Sequence, residues 1–269
     1  MYDVEAIEAA FAQSMYSGKF HHTVVTGSTN TDALAAARAG APHGSVFFTD
    51  EQTAGRGRGD HDWQSAAGQG LYVSVVLRPN IAAQDMQLIP LAAGLAAAQA
   101  IGITAVREVD LRWPNDLLIG DRKTGGILVE SKTESGALSF AVVGIGINVH
   151  QRSFDPDLST PATSLDIEAG RTISRQVLLI SLLESLQHET WALQDPGLRA
   201  AITARIAYMS SWVADRRVEV HGPQACVGIT AGLDQHGFLL VRTDRGMVTV
   251  QTGGIRAAKT DKEENAPGS

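Results

Sequence analysis

Two spacings of apolar residues run along this chain, and each marks a different kind of element. Val4, Ile7, Ala10 and Phe11 recur at helical spacing and predict a helix over residues 3–16. Runs rich in β-branched and aromatic residues predict strands at 20–25, 45–49 and 71–77, with a helix at 30–39 between the first two. The stretch 54–70 is too dense in glycine for a regular element. An alanine-rich helix is predicted at 86–100, then strands at 109–113, 126–131 and 138–147. Residues 133–136 between the last two read as a hairpin turn. Leu178, Leu179, Leu182, Leu183 and Leu186 give a helix over 176–194 one buried face, and a further helix covers 198–208.

Beyond residue 209 the texture changes. Short β-prone runs at 218–221, 227–231, 238–243 and 247–251 are punctuated by Gly222, Gly232, Gly237 and Gly246, which predicts a small barrel. The division is therefore 1–208, a mixed helix-and-strand domain; 209–258, the barrel; and 259–269, a charged and then Pro/Gly-rich tail expected to be disordered. Helices and strands alternate irregularly, with a hairpin near the centre, so the class is α+β and not a regular βαβ array.

Composition narrows the function. Among 269 residues Cys226 is the only cysteine, which rules out an internal disulfide and suits a reducing cytoplasm. The eight histidines are dispersed, without the short spacing of a protein-ligated zinc site. A formal charge of −7 argues against a nucleic-acid binder, whose affinity rests on neutralising phosphates. No apolar run approaches the roughly 20 residues of a membrane span, and the acidic start is no export leader.

Five segments carry candidate chemistry. In Gly55-Arg56-Gly57-Arg58-Gly59, alternating glycines let the backbone approach a ligand while two guanidiniums supply charge; the bland reading is a solvated basic loop. Trp113-Pro114-Asn115-Asp116 predicts a strand end with two polar groups at the edge, or an ordinary turn. Lys123, just before Gly125-Gly126 and an apolar strand, is placed to project into a cleft, or to sit on a surface hairpin. Gly144-Ile145-Gly146-Ile147-Asn148 resembles a dinucleotide fingerprint but has Val149 where the third glycine belongs, so that reading fails. Ser28-Thr29-Asn30 reads as a helix cap, Thr29 with Asp32, or as hydroxyls that meet a polar ligand.

Taken in order, with Glu51-Gln52-Thr53-Ala54 before the glycine loop, Trp63 after it, and Glu130 and Thr163-Ser164-Leu165 further on, these strings resemble the biotin–protein ligases, the biotin–[acetyl-CoA-carboxylase] ligases. The likeness runs from about His22 to Ile255. It implies a class II synthetase-like catalytic domain with a central mixed sheet and helices on one side, followed by an SH3-like barrel. Only about 20 residues precede the first strand. The resemblance is therefore to the monofunctional group, without a DNA-binding winged helix.

It further implies that biotin is activated by ATP and Mg²⁺ to biotinyl-5'-AMP and passed to a lysine of a biotin carboxyl carrier protein or other acceptor domain. Ser28, Thr29, Asn30 and Gln52 would meet the biotin head, with Gly55, Arg56, Gly57 and Gly126 around the rest of it. Arg58 and Lys123 would touch both carboxylate and phosphate, while Trp63, Asn115 and Asn148 line the nucleotide. Lys123, Arg58 and Asp116 would be catalytic, Asp116 as a magnesium ligand or an aid to the incoming lysine. The implied partners exclude nucleic acid and membrane and allow a homodimer. One departure stands out: the usual GRGR-x-G-R-x-W continues here as Gly59-Asp60-His61-Asp62-Trp63, which sets acids beside a site for two anions unless they face solvent. Two rivals remain: a lipoate–protein ligase of the same fold, and a non-catalytic RNA-binding module.

Overall fold

A computed structural model describes residues 2–59 and 61–258. Its frame is a seven-stranded mixed sheet: β1 (Phe20–Thr26), β2 (Ser45–Gln52), β3 (Gly70–Leu77), β4 (Asp110–Arg112), β5 (Asp116–Ile119), β6 (Arg122–Glu134) and β7 (Ala137–Asn148). The spatial order is β1-β2-β3-β7-β6-β5-β4. Only β1 and β2 run parallel, since a helical crossover joins them; every other pair is antiparallel. The long β6–β7 hairpin turns at Ser135 and Gly136, both at positive φ, the geometry whose twist matches the flanking strands.

Strand alternation sorts the sheet into two faces. Val46, Phe48, Val73, Val75, Val143, Ile145 and Ile147 point one way, against α3 (Leu88–Ala105) and α5 (Arg175–Gln194), and are buried there. Val76, Phe140 and Val142 point the other way and meet Ala33 and Ala37 of α2 (Thr29–Arg38). The expectation of helices on one side is thereby corrected. α2 covers the second face over β2, β3 and β7, and leaves the remainder of that face open.

α3 also corrects the reading of its stretch as too short for a membrane span. Residues Ala83–Ala105 are long and apolar enough to cross a bilayer, but 83% of the most apolar 18-residue stretch within them is buried. It is apolar all round because α5, α6 (Pro196–Met209) and the sheet surround it. The first helix, α1 (Val4–Ala10), is shorter than its pattern: the chain leaves it at Phe11, and the Tyr16 hydroxyl donates to Leu183 O at 2.9 Å, drawing the segment onto α5. A short helix, α4 (Leu165–Ala169), starts at Ser164, whose hydroxyl caps it.

The C-terminal strands β8 (Ala214–His221), β9 (Cys226–Leu233), β10 (Leu239–Thr243), β11 (Gly246–Val250) and β12 (Gly254–Ala257) form an antiparallel sheet ordered β11-β10-β9-β8-β12. Val218, Val220, Leu239, Val241, Val250 and Ile255 are buried in it and are continuous with the main core. β5 and β12 were absent from the sequence reading. Each is four residues between turns, too short for its alternation to register. The tail 259–269 and Asp60 lie outside the described residues.

Candidate functional site

The open part of the second sheet face, roofed by the glycine loop and flanked by turns of the C-terminal sheet, forms a cleft of about 890 Å³. Its floor explains the failed dinucleotide pattern. A methyl group on Gly144 would collide with the Asn30 carboxamide, and one on Gly146 would lie 2.6 Å from Trp63 Nε1. The two glycines flatten the strand so that one side chain and one indole can rest on it. On the neighbouring strand Gly126 lies beneath the Trp63 ring edge as well. Trp63 Nε1 is buried there with no partner.

At one end of the cleft α2 begins, and the capping reading of its start is corrected. The N-cap is Ser28, and its hydroxyl makes no capping bond. The Thr29 N–H is instead taken by Gln52 Oε1 at 2.9 Å, while Asp32 accepts from Thr26 Oγ1 at 2.6 Å. Ser28 Oγ is consequently buried and unpartnered on the cleft wall. A buried hydroxyl left unmet costs about 1–3 kcal/mol, which a polar ligand would recover. Gln52 Nε2 donates to Ser65 Oγ at 2.7 Å, locking the glutamine.

The opposite end is cationic. Lys123 Nζ lies 2.6 Å from Asp116 Oδ1, and Arg112 grips Asp116 Oδ2 through Nη2 at 2.6 Å and Nε at 3.1 Å. Both oxygens of the expected magnesium ligand are therefore held by cations. Burial alone would raise the Asp116 carboxyl, but Lys123 and then Arg112 outweigh it and hold it below the usual carboxylate range. Among the described residues no group of three His, Cys, Asp or Glu side chains is placed to hold a metal. Lys123 also lies 5.5 Å from the Trp63 ring centroid, over its face.

Arg58 Nη1 donates to Asn115 Oδ1 at 3.2 Å and to Gly253 O, in the turn before β12, at 2.7 Å. Desolvation lowers its pKa and Asp116 opposes that; a guanidinium in a protein is nonetheless a permanent cation. Asn115 Nδ2 is tied to Ile127 O at 3.0 Å, and Asn148 Nδ2 to Thr163 O at 3.1 Å; each amide is fixed and lines the cleft.

The glycine loop is more ordered than its composition predicts. Arg56 and Asp62 form a bridge, Gly57 N donates to His61 O at 2.7 Å, and Trp63 N donates to Gly55 O at 2.9 Å. A side chain at Gly55 would strike the backbone of Trp63 and the Ser65 hydroxyl. His61 and Asp62 are exposed and both line the cleft, so the second of the two unexpected acids borders the site. Arg56 turns away from the cationic end and pairs with Glu130.

Every predicted site residue except Gly55 lines this one cleft; Gly55 is buried behind it in the loop's closure. Sequence reasoning assigned no role to Arg112, Ser74, Glu130 or the turn at Gly253. A charge inside Leu111-Arg112-Trp113 and another ending Ile127-Leu128-Val129-Glu130 were the available signals. Ser74 and Gly253 gave none, because their partners are remote in sequence.

The chain matches the family model described as the biotin/lipoate A/B protein ligase family over residues 23–148. It is 36% identical over 239 residues to the biotin–[acetyl-CoA-carboxylase] ligase of Mycobacterium tuberculosis, covering 86% of this chain and 85% of that one. It is 33% identical over 233 residues to the bifunctional ligase/repressor BirA of Bacillus spizizenii, covering 86% and 71%. Its fold is similar to the biotin protein ligase of Aquifex aeolicus solved with biotin and ATP, with TM-score 0.74, 25% identity, and 89% and 98% of the two chains covered.

Proposed function

This chain belongs to the biotin–protein ligases of the biotin/lipoate A/B protein ligase family, and we propose how its cleft activates biotin with ATP and passes it to a lysine. The observation that carries the reading is the arrangement around Lys123: an ammonium fixed by Asp116 beside a flat glycine floor, beneath Trp63 and near Arg58. A small acid and a nucleotide can meet there despite like charge.

The unpartnered Ser28 hydroxyl, with Thr29, Asn30 and the locked Gln52, receives the polar ureido head. The acyl chain then crosses Gly126 and brings its carboxylate to Lys123. Attack on the α-phosphorus forces negative charge toward negative charge, and Lys123 and Arg58 offset it where it develops. Pyrophosphate leaves in line. Asp116 is assigned to aiming Lys123, since both its oxygens already face cations. Magnesium, if bound, would accompany the nucleotide and neutralise charge on its phosphates. Asn115 and Asn148 line the nucleotide region.

Biotinyl-5'-AMP is a mixed anhydride that water destroys. Trp63 and the closed glycine loop give it an apolar cover. A neutral lysine amine of an acceptor domain, such as a carboxyl carrier protein, attacks the acyl carbon, and AMP leaves. The single thiol and the acidic charge suit cytoplasmic work without nucleic acid.

Incubation of the purified chain with ATP, Mg²⁺ and biotin should yield biotinyl-adenylate by mass analysis, and lipoate in place of biotin should yield none. Lipoyl-adenylate at a comparable rate would move the assignment to the lipoate ligases. The buried polar groups of the head pocket argue against that, since an apolar dithiolane would leave the Ser28 hydroxyl unmet.

A further inference from the structure

A chain of hydrogen bonds runs beneath the cleft from the head pocket to the glycine loop. The Thr29 hydroxyl lies 2.8 Å from Ser74 Oγ, and Ser74 donates to Asn30 Oδ1 at 2.8 Å. Asn30 Nδ2 donates to Glu130 Oε2 at 2.8 Å, and Arg56 Nη2 donates to the same oxygen at 2.5 Å, with Nη1 reaching Oε1 at 3.3 Å. Ser74 and Asn30 are buried, and Glu130 is half-buried at the end of the chain. Gly144 is open beneath the Asn30 side chain, so the carboxamide lies flat between its two partners. A hydroxyl donor on one side and a carboxylate on the other also fix which way that amide points.

We propose that Glu130 is a positioning residue that joins the biotin head pocket to the loop over the adenylate. It rests on the biotin-ligase reading above. One carboxylate oxygen accepts from α2 and from the glycine loop together, so a displacement of either is felt by the other. The two loop arginines thereby divide their work. Arg56 is neutralised by Glu130 and anchors the loop, whereas Arg58 keeps its charge for the anions. The Arg56 side chain is 42% exposed, and solvent-facing ion pairs add little to folding. Its use is therefore geometric.

The test measures release of preformed biotinyl-adenylate from the full chain, with KM for biotin, kcat of adenylation and thermal midpoint recorded for each variant. Glu130→Gln and Arg56→Gln should each speed release about tenfold, and the double variant should be no faster than the faster single, because both remove one link. For Glu130→Gln, whose side chain does not line the cleft, kcat should fall by at most about threefold, and the midpoint of either single variant by at most a few degrees, as expected for an exposed pair. Glu130→Asp, which keeps the charge, should recover part of the retention, and it serves if Glu130→Gln folds poorly. Unchanged release in Glu130→Gln, additive effects in the double variant, or release that simply tracks the thermal midpoint would overturn the proposal. A wild-type chain that forms no biotinyl-adenylate would instead sink the functional reading itself.

Discussion

The guanidinium of Arg58 donates to the carbonyl of Gly253 at 2.7 Å, across 195 positions of sequence. The glycine loop of the large sheet is thus held by a turn of the C-terminal sheet. Gly253 has φ +115°, and a side chain there would collide with the carbonyl of His221.

Gly253→Ala should accordingly damage a site that it does not line with a side chain. The forced backbone costs on the order of 1–3 kcal/mol, so the thermal midpoint drops by several degrees. Release of biotinyl-adenylate should quicken as well, because the Arg58 guanidinium loses the carbonyl that holds it. A destabilised variant that retains the intermediate as wild type does would show that the Arg58 contact is incidental.

Lys123→Ala should lower the adenylation rate by about 10²–10³, the cost of removing one preorganised donor. The fold should survive, because Arg112 still holds Asp116 through two nitrogens. Circular dichroism should be unchanged while single-turnover adenylation collapses. Near-normal adenylation would remove Lys123 from the mechanism.

Asp116 sets an acid limit. Its carboxyl is held below the ordinary range in the folded chain and titrates normally in the unfolded one. Its stabilisation is therefore full above the unfolded carboxylate value, about 4, and is lost as pH falls through the depressed folded value. Asp116→Asn should be less stable at neutral pH and show a shallower decline in acid, read by urea titration at several pH values. Parallel curves for the two proteins would contradict this.

His43 adds a second slope at milder pH. Burial, then Lys19 and Arg78, lower its pKa, and its Nδ1 accepts from Arg78 N at 2.9 Å, which needs the neutral ring. Stability should be full above about pH 6.5, the unfolded value, and decline as pH falls toward the depressed folded value. His43→Gln should flatten that part of the profile. An unchanged slope would reject the assignment.

Gly146→Ala places a methyl group 2.6 Å from Trp63 Nε1 and must lift the indole from the floor. Tryptophan emission should shift, and escape of the adenylate should rise about tenfold or more, as expected when the cover over a reactive intermediate is displaced. The thermal midpoint should move little, since Trp63 lies on the cleft and not in the main core. Unaltered emission would show that the indole does not rest where described.

The sequence by itself determined what depends on local order and residue type. Alternation placed the long strands, the leucine repeat placed the buried face of α5, and the motif strings singled out Lys123, Arg58, Ser28 and Thr29, which the fold gathers in one cleft. Periodicity and composition gave the glycines of Gly144-Ile145-Gly146 no packing role, because what they admit, Asn30 and Trp63, comes from far upstream. From local pattern alone Ser28-Thr29-Asn30 could be either a cap or a set of free hydroxyls, because Gln52, which meets the helix N–H and leaves the Ser28 hydroxyl unpartnered, reaches it from a distant strand. Tertiary structure alone decided that Asp116 faces two cations, that α2 lies on the face opposite α3, and that a late turn anchors an early loop. Those outcomes follow from sheet register and strand order, which bring together groups that no periodicity along the chain relates.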